Sequence, residues 1–411
     1  MKIDSFIEES DNNNNPYRYI CLTSEIPVGN SKSFSIKTAE GKDIEIAVFN
    51  IDGIFYAISN TCIHKGGPLS KGFLEKDIIT CPWHGWKYSV KDGKSPHQGG
   101  DSVNSYNVKE IEDKIYVNSI PSTIGKKIFQ PHKAYSELEK SVDEFLMHKS
   151  EDMILSVADD KKIKILGIST TNANDKIAPR QSTSEDALQF TLDYARKVLD
   201  TETVMIKLRD LEFNHCEGYY SKNANACIFP CSISERDKED QMIQIYEKVI
   251  LWADVVLIAT PIRWGSASSL YYKMIQRMNC VQNQSITHNR YLIRDKVASF
   301  IITGGQDNVQ HVAGELMSFW AQLGFVFGKF PFVGWTRGWY AEDTENNYNV
   351  MMASLNKDIN NNNNQTEKEK EKVDKNSQMY KDIVKTIHGA VELALIIKRN
   401  RYDQNVLQFK K

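Results

Sequence analysis

The chain has 411 residues, 41% of them hydrophobic and 25% charged, with a formal net charge of −2 and seven cysteines. A near-neutral balance with no basic stripe argues against nucleic acid as a partner, and no apolar run approaches the roughly 18 residues of a membrane span. Seven cysteines in so long a chain do not read as a disulfide framework, which leaves metal binding, redox chemistry or burial as their use.

Residues 1–15 are acidic and end in an Asn run. They have neither the apolar centre of a signal peptide nor the Arg-rich look of a transit peptide, so the expectation is a disordered N-terminus and a cytoplasmic protein. From 16 to 119 the pattern is short strands with turn punctuation. "YRYICL", "SFSIKT", "DIEIAVF", "GIFYAIS" and "KIYVNS" are rich in β-branched and aromatic residues, and "EGKD", "NIDG", "VKDGKS" and "IEDK" separate them. This spacing predicts a small all-β domain.

Inside that domain, "TCIHKGGPLSKGFLEKDIITCPWHGWKYSV" (Thr61 to Val90) holds Cys62-x-His64, sixteen further residues, then Cys81-x-x-His84. Two thiolates and two imidazoles can bind one small metal unit. Zinc is one candidate, although a zinc finger keeps its cysteines on one hairpin and its histidines on a helix. Here each loop gives one of each. A Rieske 2Fe–2S centre needs two cysteines on one iron and two histidines on the other. The C-x-H and C-P-W-H-G pair, with Gly66, Gly67 and Gly85, resembles the Rieske motif, and Gly93 to Pro96 resembles the family's covering loop. The resemblance implies a 2Fe–2S cluster held by Cys62, His64, Cys81 and His84. Respiratory Rieske proteins carry an extra, disulfide-forming cysteine in each loop, where this chain has Gly67 and Trp83. They place a serine where it has Trp86. Loss of that hydroxyl implies the low end of the potential range, roughly −150 mV. Trp83, Trp86 and Phe73 are expected to shield the cluster. The seven other histidines, at 97, 132, 148, 215, 288, 311 and 388, offer no pair four or five residues apart. The chain therefore lacks the mononuclear iron site of a Rieske oxygenase.

Residues 120–161 read as a linker with a helix at "SELEKSVDEFL". The period then changes. Continuous apolar strands ("KIKILGI", "ETVMIKL", "DVVLIAT", "KVASFIIT", "FVFGKFPFVGW") alternate with amphipathic helices, including one over "KEDQMIQIYEKVILWA". That alternation predicts an α/β doubly wound parallel sheet, and five strands fit the flavodoxin-like order. The expected domain covers 162–345 plus 377–400, interrupted by a low-complexity insertion at 356–376.

A doubly wound sheet binds its ligand at the carboxyl ends of its strands. After the first strand, Ser182, Thr183 and Ser184 open a helix, with Glu185 completing a capping box. Hydroxyls and N–H groups there suit a phosphate. After the third strand comes "ATPIRWGSASSLYYKMIQRM". It resembles the NADPH-dependent FMN reductases and flavodoxin-like quinone reductases at Thr260, Pro261, Trp264, Gly265, Ser268, Lys273 and Arg277. In that family this loop, with Ile262 and Arg263, lies along the flavin ring, where Trp264 would flank it. "ITGGQDN" resembles the third flavin loop, with Thr303, Gly304 and Gly305 approaching the isoalloxazine. The family's first loop can be laid onto Gly167, Ser169, Arg180 and Ser182 to Ser184 across an insertion. The resemblance implies bound FMN, a nicotinamide nucleotide as donor and a homo-oligomer. Cys216, Cys227 and Cys231 are expected to be free or relict, with Cys280 as the one residue that could join them. Cys21 is expected in the core.

Hydride from NAD(P)H carries two electrons, whereas a Rieske cluster accepts one, and FMN can take the pair and release it singly. The fusion thus reads as an NAD(P)H-dependent FMN oxidoreductase passing electrons through its cluster to an acceptor the sequence does not name. A quinone or flavin reductase with a redox-sensing Rieske domain, and a non-enzymatic electron carrier, are the alternatives.

Overall fold

The computed structural model describes residues 15–38, 40–96, 100–147, 162–173, 182–304, 308–336 and 367–403. The expected N-terminal disorder over 1–14, Arg180, Gly305 and the first part of the expected insertion, 356–366, lie outside them. The chain divides into two compact units. The first takes the described residues up to Pro131 together with Gly218–Ala226, and the second takes the remainder.

The first unit is all β. Strands β1 (Tyr17–Leu22), β2 (Ser31–Lys37), β3 (Asp43–Ile51), β4 (Ile54–Ser59), β8 (Ser105–Ile111) and β9 (Lys114–Thr123) form an antiparallel sheet in the order β1-β9-β8-β4-β3-β2. Three short strands, β5 (Phe73–Glu75), β6 (Ile78–Thr80) and β7 (Lys87–Ser89), make a second sheet. β5 to β8 do not stand out in the sequence pattern, because three of them are only three residues long. Alternation along β3 splits the core as the two-residue period requires. Ala47 and Phe49 pack with Cys62, Cys81, Trp86 and Tyr88, while Ile46 and Val48 pack with Cys21 and Val117 on the opposite face.

The second unit is a parallel sheet of β10 (Lys164–Ser169), β11 (Glu202–Lys207), β12 (Val255–Pro261), β13 (Val297–Gly304) and β14 (Val326–Thr336). Its order, β11-β10-β12-β13-β14, is the flavodoxin-like 2-1-3-4-5 arrangement. The central strands β12 and β13 are buried at every position because both their faces are covered, whereas the edge strands β11 and β14 carry Glu202, Lys207 and Lys329. Val256 and Ile258 of β12 point to a core shared with α1 (Lys133–Met147), α4 (Met242–Glu247), α5 (Ser269–Arg277), α6 (Asn279–His288) and α7 (Val309–Leu323). Val255, Leu257 and Ala259 point to the other core, with α2 (Thr183–Val198) and α8 (Glu367–Asp403).

Three elements differ from expectation. The helix of the expected linker is α1, and it is core: Tyr135, Leu138 and Val142 are buried, and the Tyr135 hydroxyl donates to the Pro230 carbonyl at 2.9 Å. A short helix, α3 (Ser232–Arg236), precedes α4, and α4 ends in a π-helical turn, Lys248–Trp252, where Ala253 N–H reaches back five residues to the Lys248 carbonyl. The last helix starts at Glu367, within the expected insertion, because "EKEKEKVDK" is made of good helix formers with Glu and Lys alternating.

Candidate functional site

The first site is made of two loops with one backbone frame. In the β4–β5 connection, Cys62 N–H donates to the Gly67 carbonyl and Gly66 N–H to the Cys62 carbonyl, both at 2.9 Å. In the β6–β7 connection, Cys81 N–H donates to the Trp86 carbonyl at 2.7 Å and Gly85 N–H to the Cys81 carbonyl at 3.1 Å. Each loop turns back at a left-handed residue four places after its cysteine, Gly66 at φ +84° and Gly85 at φ +71°. A side chain there would be strained, which accounts for both glycines. Gly67 answers a different need. A Cβ on it would lie 2.7 Å from Cys81 Sγ and 3.0 Å from the Trp83 ring. The two positions that carry a disulfide in respiratory relatives thus face each other here, with Trp83 filling the space over glycine.

The loops bring their functional side chains together. The Cys62 and Cys81 thiols interact. Cys81 holds Cys62 down to about 7, while Cys62, together with burial, pushes Cys81 well up. The pair therefore shares a proton that a metal would displace. The His64 and His84 rings meet edge to face with centroids 4.8 Å apart. All four residues are buried. The buried Nδ1 of His64 makes no hydrogen bond, which is the state of a ligand atom. His84 Nε2 lies 2.7 Å from the Ala226 carbonyl, which can only accept, so the proton sits on Nε2 and Nδ1 keeps its lone pair. Among the described residues no three of His, Cys, Asp and Glu converge as ligands of a single ion would. Paired thiols beside paired imidazoles suit two irons with two protein ligands each better than one four-coordinate zinc.

Of the expected shielding aromatics, two are in place. Trp86 is fully buried and stacks on His64 with centroids 4.4 Å apart and planes 10° apart, and Trp83 packs at the ring edge of His84. Phe73 is 68% exposed and shields nothing, because β5 turns it to solvent. Sequence reasoning missed Tyr88. Its buried hydroxyl lies 3.3 Å from Cys62 Sγ, placed to donate to that sulfur when it is a metal-bound thiolate. The serine hydroxyl lost at Trp86 is thus answered by another donor two residues on, in the alternating pattern of β7. A hydrogen bond to a ligand sulfur raises the potential.

The second candidate site is spread over three strand ends. Ser268 caps α5, accepting from Tyr271 N–H at 3.2 Å, and its hydroxyl donates to the Thr170 carbonyl at 2.6 Å. The buried Thr260 Oγ1 accepts from Ser268 N–H at 3.2 Å, and Ile262 N–H donates to the Thr303 carbonyl at 2.7 Å. These bonds tie together the loops after β10, β12 and β13. Arg263, Trp264, Gly265 and Ser266 form a tight turn with mutual Arg263–Ser266 backbone bonds and positive φ at both central residues, +52° and +78°. This is a type I′ turn, and it stands Trp264 fully in solvent. A bulky residue in the left-handed region, with no packing in return, is a strained feature of the kind that marks function.

Four of the expected features make contacts within the protein. The Ser182–Glu185 capping box does not form. Ser182 is the N-cap of α2 without a side-chain cap bond, and its hydroxyl meets that of Ser184 at 3.2 Å. Glu185 is drawn away by ion pairs with Arg209 and with Lys207 at 2.8 Å. Ser169 is buried, and its hydroxyl donates to Glu185 at 2.8 Å. Gly304 makes room for protein: a Cβ there would lie 2.9 Å from the Ile262 side chain. Arg277 is wholly buried, paired with Asp240 at 2.8 Å and bonded to the Asn214 carbonyl and Ser234, so it braces α5 against the chain after β11. Thr183 and Ser184 are buried in the first turn of α2, where the helix N–H groups and the uncapped start fit an anion. Cys231 meets Cys280, which holds it down to about 6. Cys227 accepts from Asn279 at 3.3 Å. A cavity of about 380 Å³ lined by Val309, Phe332, Asp382 and Lys385 contains none of the expected flavin-loop residues.

Fold and sites together define a two-part redox protein, in which duplicated Cys–His loops are joined to a flavodoxin-like sheet. Comparison with known proteins gives the families. The Rieske [2Fe-2S] domain matches residues 17–107, and the NADPH-dependent FMN reductase domain matches residues 163–339. The ferredoxin subunit of 3-phenylpropionate/cinnamic acid dioxygenase from Escherichia coli (strain K12) is 36% identical over 78 residues, 19% of this chain and 68% of that protein. The chain therefore belongs to the Rieske [2Fe-2S] family through its first unit, and it carries an NADPH-dependent FMN reductase domain in its second. Two further relatives are more distant. 8-Demethyl-8-aminoriboflavin-5'-phosphate synthase of Streptomyces davaonensis is 26% identical over 151 residues, 36% of this chain and 55% of that protein. Apoptosis-inducing factor 3 of Homo sapiens is 26% identical over 170 residues, 41% of this chain and 27% of that protein. The chain spans less than two thirds of the length of either. The two domain families imply a 2Fe–2S cluster, FMN and a nicotinamide nucleotide. Among the described residues, no helix is long and apolar enough to cross a membrane.

Proposed function

We propose that the chain is an NAD(P)H-dependent FMN oxidoreductase that passes electrons through its Rieske cluster to a separate acceptor, with Cys62 and Cys81 on one iron and His64 and His84 on the other. The observation that carries this reading is the pairing of two thiols and two imidazoles on identically framed loops, in a chain that also holds an FMN reductase domain. When bound, FMN accepts a hydride's two electrons and the cluster carries them onward one at a time. The remaining work falls to the chain. Trp86 and Trp83 exclude water from the imidazoles, and Tyr88 places a hydrogen bond on the Cys62 sulfur. Ser182, Thr183 and Ser184 at the start of α2 receive the flavin phosphate. The Thr260–Gly265 loop, with Trp264, and Thr303 would hold the ring, and Gly305, beyond the described residues, belongs to the same expected loop. Ser169 and Gly304 support those loops from within. The Streptomyces relative is named for a riboflavin 5'-phosphate derivative, which favours a flavin phosphate in this domain. A homo-oligomer is the expected assembly, by likeness to flavin reductases.

The test is quantitation of iron and FMN in the purified full chain, electron paramagnetic resonance after dithionite, and stopped-flow reduction by NADH and by NADPH. A rhombic signal, two irons per chain as a 2Fe–2S centre requires, and flavin reduction followed by cluster reduction are expected. Cys81→Ser removes the rhombic signal and the second kinetic phase and leaves flavin reduction in place. Zinc in place of iron, or no reduction by either nucleotide, overturns the proposal.

A further inference from the structure

His84 is 1% exposed although it stands on a surface connection between two three-residue strands. The partner of its Nε2 is 142 positions away in the chain. Gly218–Ala226 packs with the first unit, while its neighbours Glu217 and Cys227 belong to the second. The segment is a pair of 3₁₀ turns, Tyr219–Ser221 and Ala224–Ala226, opened by Gly218 at φ +66°. Its internal hydrogen bonds are its own. Ser221 and Lys222 N–H donate to the Gly218 and Tyr219 carbonyls, Ala226 N–H donates to the Asn223 carbonyl, and Asn225 N–H donates to the Asn223 side chain. The turns leave the Ala226 carbonyl pointing outward, and it is this oxygen that accepts from His84 Nε2 at 2.7 Å. Tyr219 adds an edge-to-face ring contact with His84, centroids 5.3 Å apart.

We infer that Gly218–Ala226 is a built-in strap over the histidine side of the cluster. It fixes the His84 ring in the tautomer that offers Nδ1 to iron, and it closes that edge to outside redox partners. The chain itself therefore holds the contact through His84, and a separate acceptor must take electrons at another edge of the domain. Metal-bound imidazoles that donate to a carbonyl are more basic ligands, so the strap also lowers the potential of the iron they serve.

This inference rests on the cluster reading above, and the two fail separately: iron content and the rhombic signal decide the cluster, and histidine chemistry decides the strap. The full chain with its iron is treated with diethyl pyrocarbonate, and modified histidines are located by mass spectrometry. The exposed His288 and His311 serve as references. His84 should react at least about tenfold more slowly than either, as expected for a group that reacts only through local opening. Replacing residues 218–226 by a Gly/Ser segment of equal length should bring His84 to the reference rate and shift the cluster potential upward. Tyr219→Ala should move both in the same direction by less. Reaction of wild-type His84 at the reference rate with the rhombic signal intact overturns the strap. So does a replacement that keeps its iron and changes neither reactivity nor potential.

Discussion

The two sites are built in opposite ways. The cluster loops lie within 25 residues of one another, from Cys62 to Trp86, and each is closed by its own backbone bonds. The flavin loops follow strands far apart in the chain, and side chains bind them together: Ser268 reaches Thr170 across 98 positions, and Glu185 reaches Arg209 across 24. A site made of short self-closed turns is defined by which residue stands at each place in the turn. A site made of distant strand ends is defined by the polar ties between them, so its weak points are ion pairs and hydrogen bonds away from the ligand.

This contrast can be broken by removing one tie. Arg277→Met leaves Asp240 buried without its partner, and loss of one member of a buried ion pair costs about 3–5 kcal/mol. Chemical denaturation should show the second unit destabilised by that order while the cluster spectrum of the folded protein is unchanged. Equal loss of the cluster would show that the sites are not built independently.

A smaller effect is expected at Glu185, and it depends on pH. Burial works against its charged form, but hydrogen bonds from Arg209, Lys207 and Ser169 outweigh this and hold the carboxyl below its ordinary range. A lowered carboxylate contributes stability that is complete above the unfolded value of about 4.3 and is lost as pH falls through the folded one. Glu185→Gln should therefore destabilise by about 1 kcal/mol at neutral pH. The gap between variant and wild type should close below about pH 4 in parallel denaturation curves. A gap that stays constant across that range would rule out a charged role.

Trp264 sharpens the contrast in the other direction. Its left-handed φ costs stability and its full exposure returns none. Trp264→Gly should raise the denaturation midpoint, by a stability gain of about 1 kcal/mol, and weaken FMN retention on dilution. A variant that loses stability instead would show that the indole packs against protein.

The smallest effect belongs to the cluster side. Tyr88→Phe removes one hydrogen bond to the Cys62 sulfur, worth about 1 kcal/mol, and should lower the potential by about 40 mV in a redox titration. The iron content should not change. An unchanged potential would mean that the hydroxyl does not donate to the thiolate.

Both folds were legible in the sequence, for one reason. Strands of two-residue period and apolar strands between amphipathic helices are local patterns, and the five-strand alternation after Lys162 leads directly to the observed order. The residues of the cluster motif were legible because their spacing is itself the frame: a cysteine, a histidine two or three places on, and a glycine that must be left-handed. Tertiary structure decided what depends on neighbours distant in the chain. It turned Glu185 from a helix cap into the anchor of Ser169, Lys207 and Arg209, and it buried Arg277 against Asp240. It put the Tyr88 hydroxyl on Cys62 and the Ala226 carbonyl on His84. A polar side chain takes the strongest partner within reach, and which partners are in reach is set by how the strands and straps come to lie side by side, a relation that no short window of sequence contains.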